Sequence, residues 1–165
     1  MMKEMWVAGV TVDPMTKSPI VILRDKENRL ALPIWVGALE ANAIVVILER
    51  MEIARPMTHD LMRSLLDSTD TNLYQIEIAD IRDNTYYALL HLERGNERFA
   101  MDSRPSDAIA LALRCRAPIM VSMGVLEHAL PIESLEAMPE SKDIKDKHTE
   151  LLDKMDPEHF SKYKM

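Results

Sequence analysis

Two short stretches follow an Arg-Pro step with a hydroxyl residue, an aspartate and an apolar run: RPMTHDL at 55–61 and RPSDAIA at 104–110. Each reads as the start of a helix, where free backbone N–H groups and the helix dipole attract anions. Each also carries a guanidinium, the side chain best shaped to grip a phosphate through two parallel hydrogen bonds. If the two helix starts face each other, Arg55 and Arg104, with Thr58 and Ser106, would bind a phosphodiester. Asp60 and Asp107, joined by Glu40 and Asp102, would then offer oxygens to Mg²⁺ or Mn²⁺, because such ions often take one or two carboxylates plus substrate oxygens. In that arrangement Asp60 and Asp107 hold the metal or activate water, and His59 moves a proton.

The same residues have a purely structural reading. Thr58 and Ser106 are N-cap types, Asp60 and Asp107 suit first turns, and both arginines have acids nearby. The repetition of the pattern favours a shared site, but the sequence leaves both readings open.

Other chemistry finds less support. The remaining histidines, His91, His128, His148 and His159, show no zinc-ligand spacing. With four glycines in the chain there is no glycine-rich phosphate loop, and no GxSxG elbow occurs. Cys115 is the sole cysteine, so no internal disulfide forms, and its place in ALALRCRAP reads as a packed thiol. Trp35, in PIWVGALEA, reads first as an aromatic plug between strand and helix and second as a stacking surface for a base.

The elements that would position these residues are legible from periodicity. WVAGVTV (6–12), IVILR (20–24) and LALPIW (30–35) read as a first strand meander. From Glu40 the run EANAIVVILERM reads as a helix apolar nearly all round, and therefore buried under the sheet. Arg55-Pro56 interrupts it, and Thr58 is placed to cap the next helix. YQIEIADI, YYALLHLE and RFAMD form a second meander, followed by the helix DAIALALRC and a return strand in APIMVSM. The order βββ-αα-βββ-α-β indicates a single α+β domain over 1–135. Residues 136–165 are charge-rich with sparse apolar points, which predicts a peripheral C-terminal helix and tail.

Composition bounds the partners. The 165 residues are 47% apolar, enough for one core, and no run approaches the roughly 20 apolar residues of a membrane span. The N-terminal MMKEMWVAGVTVD lacks the pattern of a signal peptide, so a cytoplasmic location is expected. A net charge of −7 argues against broad nonspecific nucleic-acid binding, although Arg50, Arg55 and Arg63, and again Arg98, Arg104, Arg114 and Arg116, gather locally.

In LPIWVGALEANAI (32–44), RPMTHDL (55–61) and DSRPSDAIALALRCRAPI (102–119), the chain resembles the bifunctional nuclease domain family, formerly a bacterial and plant domain of unknown function. The similarity spans roughly residues 5 to 130. It implies a compact α+β domain that self-associates as a homo-oligomer, and a nuclease hydrolysing both DNA and RNA with low sequence specificity. Glu40, Arg55, Thr58, His59 and Asp60 fall on the earlier motifs, and Asp102, Arg104, Ser106 and Asp107 on the last. Two alternatives use the same residues: a non-catalytic oligomeric module binding a phosphorylated ligand or protein partner, and a phosphatase for small nucleotides.

Overall fold

A computed structural model describes residues 1–132; the helix and tail expected over 136–165 lie outside the described residues. The fold is α+β, with one eight-stranded sheet. In chain order the elements are β1 (Met2–Val12), β2 (Pro19–Asp25), β3 (Leu30–Trp35), α1 (Ala38–Leu48), α2 (Thr58–Ser68), β4 (Asn72–Arg82), β5 (Thr85–Arg94), β6 (Glu97–Ser103), α3 (Pro105–Cys115), β7 (Ile119–Ser122), α4 (Met123–Leu126) and β8 (Leu130–Pro131).

The sheet order is β6-β5-β4-β7-β1-β2-β3-β8. The two meanders are therefore not separate halves. The short strand β7 zips them together, running parallel to β4 (Ile76↔Ile119) and antiparallel to β1 (Met5↔Ile119). Its alternation explains the placement: Ile119 and Val121 are buried in the core, and a strand paired on both edges needs an apolar face to bury.

One face of the sheet carries the core. Val21 and Leu23 of β2, Ile76 and Ile78 of β4, and Ala88, Leu90 and Leu92 of β5 recur at period two and are all buried. Ala108, Ile109, Ala110, Leu111 and Ala112 of α3 close over them; the alanines allow the helix backbone to approach the strands closely. Helix α1, expected to be buried all round, hides Ala41, Ala43, Ile44 and Val46 but leaves Leu39 exposed at its start. The β4–β5 turn is built on Asp83 and Asn84, with φ of 47° and 60°. Two successive positive φ values match the right-handed twist of a hairpin, and Asp and Asn tolerate them.

Two charged groups are paired at the β1–β2 ladder. Asp25 is fully buried, accepts hydrogen bonds from the backbone N–H groups of Arg29 and Leu30 (both 2.8 Å), and lies 2.7 Å from Lys3 Nζ. Burial alone would raise its pKa, but the Lys3 ammonium and those two N–H groups hold it below the usual carboxylate range.

Candidate functional site

The three long helices share a feature at their starts. Glu40, Asp60 and Asp107 are each the third residue of α1, α2 and α3, where a carboxylate sits near the free N–H groups of the first turn. The hydroxyl residues do not cap. Met57 and Arg104 occupy the N-cap positions, so Thr58 is the first residue of α2 and Ser106 the second of α3. The physical reason lies in Pro105, whose fixed φ suits the first helical position and moves the cap back to Arg104. At α2, Asp60 Oδ2 takes over by accepting the Met57 N–H at 2.9 Å.

This offset makes the two look-alike motifs fold differently. Arg104 stands three residues before Asp107 and donates from Nε to Asp107 Oδ2 at 2.7 Å. Arg55 stands five residues before Asp60, is exposed in the connection ahead of α2, and joins none of the contacts described below.

The helix starts nevertheless meet. His59 Nε2 lies 3.0 Å from Asp107 Oδ1, linking α2 to α3. Arg104 also donates from NH1 to Glu40 Oε1 at 2.9 Å, which brings in α1. The result is a chain Glu40–Arg104–Asp107–His59, with the arginine two-thirds exposed and His59 only 8% exposed. Partial burial alone would raise the Asp107 pKa; the bonds from Arg104 and His59 outweigh it and hold the carboxyl below its usual range. The Arg104 pKa is raised, first by its bond to Asp107.

Asp60 has a different environment. Its Oδ1 receives Arg114 Nε at 2.6 Å, and the Arg114 NH1 also donates to the carbonyls of Ala43 and Ala110, both at 2.9 Å. Arg114 is buried, so this guanidinium ties α1, α2 and α3 at one point. Burial opposes the charge on Asp60, but the Met57 N–H and Arg114 lower its pKa overall. Both Asp60 oxygens are thus engaged in holding the helices. Asp102 lies on β6 opposite Leu89 and takes no part in either network.

Among the described residues no group of three or more His, Cys, Asp or Glu side chains is arranged to hold a metal. Glu40 and Asp107 both accept from the Arg104 guanidinium, so they are the two carboxylates that would hold a divalent ion whose remaining ligands came with the substrate. Both Asp60 oxygens are already bonded, and Asp102 stands apart on β6.

Gly37 precedes α1 because its missing side chain leaves room for Glu40: a methyl there would overlap Glu40 Oε2. Beside this network, Ile34, Trp35, Tyr86, Asn84, Arg104 and Ser106 contribute to a cleft of about 380 Å³. Trp35 is no core plug. The residue is half exposed, and its Nε1–H donates to Asp13 Oδ2 at 3.1 Å. Cys115 is partly buried and burial raises its pKa, consistent with a packed thiol.

Neither Arg114 nor Gly37 was a candidate from the sequence. The signal for Arg114 is a charge inside an apolar helix, seven residues from Asp107 and therefore on the same face.

The family model for the bifunctional nuclease domain matches residues 21–133, which takes in all three helix starts. The chain belongs to the bifunctional nuclease domain family. An uncharacterised protein of Mycobacterium tuberculosis is 36% identical over 164 residues, covering 96% of this chain and 98% of the relative. Bifunctional nuclease 2 of Arabidopsis thaliana is 28% identical over 108 residues, and bifunctional nuclease 1 of Oryza sativa subsp. indica 29% over 109. Each plant match covers 64% of this chain but 33% of the plant protein, so this bifunctional nuclease domain spans about a third of those relatives.

Proposed function

We propose that this protein hydrolyses phosphodiester bonds of DNA and RNA with little sequence preference, at the Glu40–Arg104–Asp107–His59 site. One observation carries the reading: His59 and Asp107, from helices far apart in sequence, touch beside an exposed guanidinium. Of the five N–H donors of Arg104, one on Nε and one on NH1 are taken by carboxylates, leaving the others for a phosphate. Asp107 orients the imidazole through Nε2, and Nδ1 of His59 is the atom proposed to take a proton from the attacking water. The plant relatives, bifunctional nucleases by name, support a nuclease chemistry.

Electrostatics adds a requirement. Glu40 and Asp107 outnumber Arg104, so this cluster alone repels a phosphate. A divalent cation carried in with the nucleic acid would sit against Glu40 and Asp107 and free Arg104 to reach the phosphate. When bound, such an ion supplies charge stabilisation for the phosphoryl oxygens. Arg55, Thr58 and Ser106 remain proposed phosphate contacts, and Asp60 is proposed to act by holding α2 in place.

The test is cleavage of plasmid and of RNA by purified protein with Mg²⁺ or Mn²⁺, and its arrest by EDTA. No cutting of either substrate by folded protein overturns the reading. The double hold on Arg104 favours one alternative, a phosphate-binding module without turnover, which the same assay exposes as binding with no product. Self-association belongs to the proposal as well: Leu61 and Leu65, one turn apart on α2, are both about two-thirds exposed. Sedimentation velocity checks it, and a monomer at micromolar concentration removes it.

A further inference from the structure

The cleft beside Arg104 has a composition that the phosphodiester reading does not use. Trp35 closes β3, and its neighbour in sequence, Ile34, is buried, yet Trp35 is 51% exposed. Solvating so large an apolar ring is unfavourable, and tryptophan normally gives up most of its surface. Here the ring is pinned in place. Its Nε1–H is held by Asp13, whose other carboxylate oxygen accepts the Met15 N–H at 2.9 Å, so the β1–β2 loop fixes the indole without covering it. Tyr86, half-buried, and Asn84, from the β4–β5 turn, also line the cleft. Arg104 lines the same cleft, so a phosphate gripped by its free N–H groups would share that cleft with the ring.

We propose that this cleft is a subsite for one unpaired nucleobase, stacked on Trp35 while its phosphate lies at Arg104. A volume of about 380 Å³ is at the small end for ligand pockets, suited to a single nucleoside and not to a stacked pair of strands. An aromatic face takes any base, which accords with low sequence preference, while a base held in a duplex cannot reach it without being unstacked. The substrate class is therefore single-stranded nucleic acid, or a strand end or loop. The inference rests on the phosphodiester reading for the nature of the anion at Arg104, but its test does not depend on cleavage.

The chain has two tryptophans, so Trp6→Phe protein makes Trp35 the sole reporter. A phosphorothioate-linked thymidine octamer, which resists cutting, is titrated in Mg²⁺, alongside a duplex of equal length and inorganic phosphate. Stacking predicts quenching of Trp35 by the octamer, with little from the duplex or from phosphate. In the otherwise native chain, Trp35→Ala should weaken octamer binding about tenfold by anisotropy, and Trp35→Phe should recover most of it. The idea is overturned if the octamer does not bind, if it binds without quenching, if phosphate or duplex quenches equally, or if folded Trp35→Ala binds like the parent. Should Trp35→Ala fail to fold, the quenching series decides alone. Quenching without cleavage would sink the nuclease proposal and leave the subsite standing; cleavage without quenching would do the reverse.

Discussion

Arg104 is gripped by Glu40 and Asp107, whereas Asp60 is gripped by Arg114, and the two aspartates should therefore fail differently when neutralised. Asp107→Asn keeps the side-chain shape at a partly exposed position. It is expected to lower cleavage about a hundredfold or more while lowering the melting temperature less than Asp60→Asn does. Asp60→Asn strands the buried Arg114 charge and should cost about 3 kcal/mol of stability, read by urea unfolding, with cleavage per folded molecule reduced less than in Asp107→Asn. Equal loss of activity at equal stability in the two variants would refute this division. Gly37→Ala drives a methyl into Glu40 Oε2, the end of a flexible side chain, so the fold should survive while Glu40 lets go of Arg104. Combined with Glu40→Gln, it should add no further loss; additive losses would show that Gly37 acts elsewhere. The acids also set a pH limit. Asp25, Asp60 and Asp107 all have folded pKa values below the usual range. Their stabilisation is complete above the unfolded carboxylate pKa of about 4 and disappears as pH falls through the lower folded values. Urea midpoints should thus decline steeply below about pH 4 and be flat just above it; a midpoint unchanged down to pH 3 would contradict these pairings.

At the level of elements, the three helices are joined by buried polar contacts as well as by their apolar faces. Arg114 donates to α1 through Ala43, to α2 through Asp60 and to its own helix through Ala110. Arg114→Ala should destabilise the protein by about 3 to 5 kcal/mol, and Arg114→Lys should rescue little, since one ammonium cannot reproduce the planar fork. Rescue by lysine to parental stability would mean that charge alone suffices. Much of this layer was legible in the sequence. Ile76 and Ile78 against Ala88 and Leu90 show the alternation of half-buried strands, and Pro105 with Asp107 marks a helix start. The capping by Thr58 and Ser106 failed for a local reason: Pro105 takes the first helical position, and Asp60 satisfies the Met57 N–H. Helix α4 and strand β8, of four and two residues, are too short to show any period. The meeting of His59 with Asp107 was suggested by the repeated motif, but the role of Arg114 depends on three elements arriving together, which no local pattern encodes.

On the scale of the whole molecule, four residues of β7 hold eight strands in one sheet. Unfolding should accordingly be a single cooperative transition by circular dichroism and by tryptophan emission. Met120→Pro, which removes a ladder bond from a strand paired on both edges, should abolish that transition instead of splitting it in two. Two resolved transitions in the parent would show that the meanders stand independently. The same strand has a temporal consequence. On the ribosome β1 is made first, and its β2 edge is satisfied within a few residues, but its other edge waits until Ile119 has been translated and released from the exit tunnel. Throughout that delay a nascent chain carries an open strand edge flanked by apolar residues, the kind of surface on which polysomes tangle. Stalled or prematurely terminated products ending before β7 should be insoluble and bound to chaperones, and slow codons would do most harm ahead of that point.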